Sequence, residues 1–400
     1  MGSVWMKTVQ RLDYIDGLRG LAILMVLLFH LRQLGNDWNL EIPVLHLSLS
    51  SVFSYGHVGV NLFLLLSGFC LYWPFVKMGE AGVARPEPTL KVFALKRCRR
   101  ILPPYYVALL FTLIYTFIWD KESIPANNGH YVVNWLLMHV FMLHNLNPDY
   151  IQTIPGPFWS IGLEFQLYIL FPVLVESYRR FSARSVLLTV LILCGAYRLF
   201  VDYGQYTPTG DLGYTLAFSV FGRCFEFALG MYLAKFVANW KAGEPAPITR
   251  GDLLLVLGVV SLTLIRSNGD SFPPFADDFW GFLFAALLLW ASRHTTIAHR
   301  ALSTKWLVFL GSISYSVYLI HIPFILFFCM LAAQHHLSAA RLIALEFFVV
   351  VPILIVASYA FHLLFERPFM STQTNSGSGR NDTPIAVTME QPPVQISPVL

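Results

Sequence analysis

Apolar residues in this chain gather into long runs, with the polar residues collected between them. A helix needs about twenty predominantly apolar residues to cross a hydrocarbon core of ~30 Å. Stretches of roughly that size occur at 18–34, 53–76, 101–119, 158–176, 185–201, 213–237, 251–267, 278–293, 305–332 and 341–365. Each predicts a transmembrane helix. An eleventh stretch, 132–146, is shorter and carries His139, His144 and two Asn. Whether it crosses decides the orientation of everything after it.

Lys and Arg accumulate in cytoplasmic loops, and here they discriminate. With a cytoplasmic N-terminus, and with 132–146 dipping in or lying along the interface, 20 of the 27 basic residues fall inside. A crossing at 132–146 would send 11 of those to the other side. The expected fold is therefore all-α: a polytopic transmembrane helix bundle of about ten spans, both termini cytoplasmic, in the plasma or inner membrane. Lys7 and Arg11 before the first run resemble a signal peptide. No small-x-small cleavage site follows, so an uncleaved first span is expected. From about 371 the chain turns to Ser, Thr, Pro and Gly. Residues 1–369 read as the membrane domain and 370–400 as a disordered cytoplasmic tail.

Composition points the same way. The chain is 56% hydrophobic and 12% charged with mean hydropathy +0.60, against about 25% charged in soluble domains. A net charge of +4, spread along the chain, gives no electrostatic footprint for nucleic acid. The five cysteines form no CxxC or Cys/His metal spacing and read as packing residues; no metal is expected.

Ionisable residues inside lipid are costly, and each is a functional hypothesis with a partner to be found. Asp16, Arg19 and His30 belong to the first span; Arg19 and His30, eleven apart, project from nearly one face about 16 Å apart. Asp16 and Arg19 are spaced to pair. Ser160 and Glu164 share a face of the fourth span, Arg223 and Glu226 pair within the sixth, and Tyr318 and His321 lie one turn apart in the ninth. His30, Glu164 and His321 fall in the middle-to-outer half of the bilayer. A His and a carboxylate at one level suit general-base chemistry on a hydroxyl, the carboxylate fixing the imidazole tautomer. The same set also suits a proton relay in a transporter or acyl-group channel, although the chain has no internal repeat. Lys96–Arg100 anchors the inner end of the third span, or its Arg97 and Arg100, three apart, grip phosphate oxygens as on coenzyme A.

The stretch Arg11-Leu12-Asp13-Tyr14-Ile15-Asp16-Gly17-Leu18-Arg19-Gly20 followed by His30 resembles the opening of the membrane acyltransferase-3 family. Further matches follow in the family's order. They are Gly59-Val60-Asn61-Leu62-Phe63 with Ser67-Gly68-Phe69; Arg97-x-x-Arg100; Trp159-Ser160-x-x-x-Glu164; Arg223 with Glu226; Ser314-Tyr315-Ser316-x-Tyr318-Leu319-x-His321; and Glu366-x-Pro368. The resemblance covers about 11–369. It implies O-acylation of a carbohydrate or other hydroxyl acceptor from cytoplasmic acyl-CoA, with acetyl-CoA the expected donor. Carried over, it makes His30 the base, Arg19 and Glu164 its support, and Arg97 and Arg100 the holders of the CoA phosphates. Ser160, Asp16, Arg223, Glu226, Tyr318 and His321 complete the expected site. Asn61 departs from the Asp of many members. The family's fused extracytoplasmic esterase-like domain has no counterpart after 369, so a surface glycan is expected to be reached directly or through a separate extracytoplasmic partner.

Overall fold

Where lipid offers no hydrogen-bond partner, a helix satisfies its backbone within one segment, and in the computed structural model the apolar runs are helices. The structure describes residues 12–34, 41–42, 47–48, 53–80, 90–119, 129–151, 153, 156–203, 211–239, 276–333, 337 and 339–370. In chain order the elements are α1 (Asp13–Leu34), a two-residue antiparallel ladder of β1 (Glu41–Ile42) and β2 (Leu47–Ser48), α2 (Gly59–Glu80), α3 (Leu90–Trp119), α4 (Gly129–Val140), α5 (Trp159–Arg180), α6 (Ala183–Tyr203) and α7 (Asp211–Ala217). They continue with α8 (Val220–Asn239), α9 (Ala276–Ala291), α10 (Ile297–Leu302), α11 (Lys305–Ser312), α12 (Ser314–Ala333), α13 (Ala339–Leu345) and α14 (Val351–Phe361). Two wide π turns, Glu346–Val350 and His362–Glu366, flank α14.

Eight helical segments among the described residues are long and apolar enough to cross a membrane, and each overlaps a stretch expected to do so. The chain is an all-α, multi-pass membrane protein. The expected span 251–267 and the tail 371–400 lie outside the described residues. The stretch 278–293 forms α9, whose 16 residues reach only ~24 Å against a ~30 Å core. Large apolar side chains such as Ile169, Ile192, Phe221, Phe348 and Val356 are exposed, as lipid-facing surfaces require.

Three expectations change in detail. The single span 305–332 is broken: α11 ends at Ser312 and α12 begins at Ser314, with Ile313 between them. Next, the basic cluster does not precede its helix. It lies within α3, which starts at Leu90 and continues through Pro103 and Pro104. Finally, 132–146 divides into α4, twelve residues or ~18 Å long, and a separate turn at His144–Leu146. Met142 between them takes φ 56°, a left-handed backbone that stops the helix. At that length α4 falls short of the ~30 Å core.

The core is built on two close helix crossings. Gly68 of α2 and Gly230 of α8 let the backbones approach: a Cβ at 68 would sit 2.0 Å from the Phe227 carbonyl oxygen, and one at 230 would sit 1.9 Å from that of Leu65. Gly20 of α1 and Gly311 of α11 do the same. Small residues at such contacts substitute for the hydrophobic drive that lipid removes. Phe69, Phe171, Phe225 and Phe227 fill the space around the first crossing, each with at most 1% exposure. These crossings fix α1, α2 and α12 around one cavity.

Candidate active site

Arg19 of α1, Ser67 and Cys70 of α2, Arg97 and Arg100 of α3, Ser160, Glu164 and Tyr168 of α5, and Tyr315 and Tyr318 of α12 line that cavity. Its water-accessible interior is about 120 Å³. Arg97 also lies 5.7 Å from the centre of the Phe93 ring, which orients its guanidinium. Among the described residues three guanidiniums face the one carboxylate of Glu164 here, which gives the chamber an excess of positive charge suited to an anion. Pro103 and Pro104 take the amide partners from the carbonyls of Arg99 and Arg100, and the Tyr315 hydroxyl ties α12 to this turn through the Ile101 carbonyl at 3.0 Å.

Glu164 receives hydrogen bonds from Ser67 Oγ at 3.0 Å and from the Tyr168 hydroxyl. It therefore belongs to the cavity wall. Ser160 Oγ meets the Tyr318 hydroxyl at 2.6 Å, and that hydroxyl donates to the Pro157 carbonyl at 2.9 Å. Tyr318 thus lines the end of the chamber nearest the histidines. On its far side the Tyr318 carbonyl accepts from Nδ1 of His321 at 2.7 Å, and His321 Nε2 stands 3.2 Å from His30 Nδ1. His30 Nδ1 also lies 2.9 Å from the Val26 carbonyl.

This bond set assigns the tautomers. With its Nδ1 proton on a carbonyl, His321 presents the Nε2 lone pair. His30 Nδ1–H then donates to it and to the Val26 carbonyl, leaving His30 Nε2 as a free base. The expected carboxylate partner of His30 is replaced by a second histidine. No hydrogen bond joins Glu164 to His30 among the described residues. Arg19 also moves: it lines the chamber with Arg97 and Arg100, three turns from His30, and so does not support the imidazole directly. Its eleven-residue offset puts the two about 16 Å apart along α1. Asp16 is not among the lining residues; its carbonyl lies against Gly311 at the α1–α11 crossing.

Arg223 and Glu226 pair at 3.3 Å as their spacing suggested, but within a larger buried network. Arg223 also meets Asp277 at 2.5 Å, and Arg198 meets Asp278 at 2.9 Å and Glu226 at 3.6 Å. Arg198 Nε donates to the Gly222 carbonyl at 2.8 Å. Asn61 sits between carboxylates, its amide donating to Glu226 at 3.1 Å and to Asp277 at 2.9 Å. Two guanidiniums face three carboxylates here. An Asp at 61 would add a fourth, which explains the amide at this position.

Sequence reasoning missed Ser67, Tyr168, Arg198, Asp277 and Asp278. Arg198 was visible as a charge inside a span, and the two aspartates as charges at the start of one. Ser67 stood in the family-like Ser67-Gly68-Phe69 stretch without an assigned role, and Tyr168 carried no signal of its own, since a hydroxyl in an apolar run commonly bonds its own helix. Cys70, read as a packing residue, lines the chamber. Glu366 is buried and holds Ser316 at 2.6 Å and His362 at 2.9 Å, which fastens the last span to α12.

Comparison with known proteins adds the chemistry. A family described as an acyltransferase domain matches residues 12–367. The peptidoglycan O-acetyltransferase OatA of Listeria monocytogenes is 26% identical over 335 residues, covering 78% of this chain and 49% of that protein. The O-acetyltransferase OatA of Staphylococcus aureus is 25% identical over 341 residues, covering 80% and 52%. The acyltransferase MdmB of Streptomyces mycarofaciens is 24% identical over 385 residues, covering 90% and 92%. The chain spans about half the length of the two OatA proteins. No solved structure is significantly similar to it.

Proposed function

Because the chain belongs to the acyltransferase-3 family, we propose that it transfers an acyl group, acetyl in the simplest case, from acyl-CoA to a hydroxyl of a carbohydrate. The donor enters the chamber from the cytoplasm. Arg97 and Arg100 hold the CoA phosphates as bidentate partners, and Arg19 adds a third cation. The acyl thioester points toward Tyr318 and the histidine pair beyond it.

His30 Nε2 removes the proton from the acceptor hydroxyl as its oxygen attacks the thioester carbonyl. The C–S bond breaks, the C–O bond forms, and the imidazolium returns the proton to the departing thiolate. His321 stabilises the imidazolium by accepting from its Nδ1–H. A positioned general base of this kind is worth roughly 10²–10⁴ in rate.

The observation that carries the reading is the alignment of chamber, Tyr318 and histidine pair within a family of acyltransferases. The relatives named for peptidoglycan support a glycan acceptor. The test is to reconstitute the full chain in vesicles with radiolabelled acetyl-CoA outside and glycan fragments within. Label covalently attached to glycan is expected. Label or acyl group crossing without covalent transfer would instead make the protein a transporter.

A further inference from the structure

Ring contacts continue past the histidine pair to the opposite end of the site from the arginines. The His30 ring lies 4.9 Å from Phe29, Phe29 lies 5.5 Å from His57, His57 lies 6.4 Å from Tyr55, and Tyr55 lies 6.2 Å from Trp280. His57 Nδ1 donates to the Ser54 carbonyl at 2.7 Å, which fixes its ring. Tyr55, His57 and Trp280 are all half-buried, so this row of rings reaches partly exposed side chains.

At that end stands Asp277, three residues before Trp280 on α9 and hence on the same face. Of the three carboxylates in the buried network, Asp277 alone keeps appreciable side-chain exposure, 28% against 5% for Asp278 and 0% for Glu226. Arg223 and Asn61 hold it from behind. The network thus presents one carboxylate, immobilised, beside an indole and a phenol. A flat aromatic face offers stacking to the C–H face of a pyranose, and a fixed carboxylate accepts from its vicinal hydroxyls. Apolar walls with a few placed polar groups are what orient a small ligand.

We propose that Trp280, Tyr55 and Asp277 form a saccharide subsite for the acceptor, on the side of the His30–His321 pair away from the arginines. The inference rests on the acyltransferase reading and adds where and by what chemistry the acceptor is held. It also accounts for the buried network, which fixes Asp277 without touching the donor chamber.

The test uses the full chain in lipid nanodiscs and chitotetraose, a soluble β-1,4-linked N-acetylglucosamine tetramer. Native protein is expected to bind it saturably with a change in tryptophan fluorescence. Trp280→Ala is expected to weaken binding by about tenfold, and Trp280→Phe, which keeps an aromatic face, by no more than about threefold. Trp280→Phe should nevertheless lose the fluorescence change. Absence of saturable binding to the native protein, equal affinity in Trp280→Ala, or a fluorescence change that survives in Trp280→Phe would each overturn the subsite. Release of CoA from acetyl-CoA by the native preparation reads the donor half separately. Release without chitotetraose binding removes the subsite and leaves the acyltransferase reading; binding without release does the reverse.

Discussion

His321 Nε2 stands 3.2 Å from His30 Nδ1, and this contact gives His30 a partner from a span nearly three hundred residues away. The arrangement differs from a His–carboxylate pair in one respect. A neutral imidazole orients the base and accepts from its imidazolium without adding a buried negative charge, which would be costly in lipid. In the proposed reaction His321 acts through His30, so it is a positioning residue.

The two histidines should therefore behave as one unit. His30→Ala is expected to lower acyl transfer by roughly 10²–10⁴. His321→Ala should lower it less, and the double variant should be no worse than His30→Ala, because groups acting in series are not additive. Multiplying losses in the double variant would show that the two act independently.

Arg97→Ala with Arg100→Ala should raise the Kd for acetyl-CoA by about tenfold or more, since each lost charge-assisted bond is worth about 1.5–3 kcal/mol. Arg19→Ala should weaken the same binding, because Arg19 lines the same chamber. Equilibrium binding of labelled acetyl-CoA reads both effects. An unchanged Kd in the double variant would return Arg97 and Arg100 to the role of topological anchors.

Much of this was legible in the sequence because lipid imposes a simple rule. Apolar runs of about twenty residues must be helices, and among the described residues eight helices are long and apolar enough to cross. Charges inside such runs stand out, so His30, Glu164, Arg223 and His321 were found one by one. Which of them meet was not legible, because pairing depends on how helices cross. Gly20–Gly311 brings α11 against α1, and only then does α12 carry His321 to His30 and leave Arg19 with Arg97. The break at Ile313 was hidden by the continuous hydropathy of 305–332.

Asn61 offers a test of charge balance. Asn61→Asp places a fourth carboxylate beside Glu226 and Asp277, and it is expected to cost about 3 kcal/mol at neutral pH, the scale of an uncompensated buried charge. A proton would neutralise it, so the loss should be smaller at pH 5 than at pH 8. Thermal unfolding of purified protein at the two pH values measures this. Equal stability at pH 8 would mean that the network holds a compensating group.

His139 and His144 set a pH limit on stability. Their rings stack at 4.2 Å in the non-spanning segment, both buried. Burial, and then the neighbouring His144, push His139 down to about 3; burial pushes His144 down to about 4. An unfolded histidine titrates near 6.5. Below that the unfolded chain gains protons that the folded chain refuses, so stability falls as pH drops from about 6.5 toward 4 and 3. A variant with His139→Leu and His144→Leu should lose stability less steeply between pH 7 and pH 4.5. A slope equal to that of the native protein would show that the pair does not titrate in this window.

The most direct measurement is transfer of label from radiolabelled acetyl-CoA to a glycan acceptor by native and His30→Ala protein, matched for folded yield in the same vesicles. Native protein is expected to acetylate the acceptor, and His30→Ala to bind acetyl-CoA with native affinity but to transfer at no more than about one-hundredth of the native rate. Transfer by His30→Ala at the native rate would contradict an acyltransferase built around the His30–His321 pair.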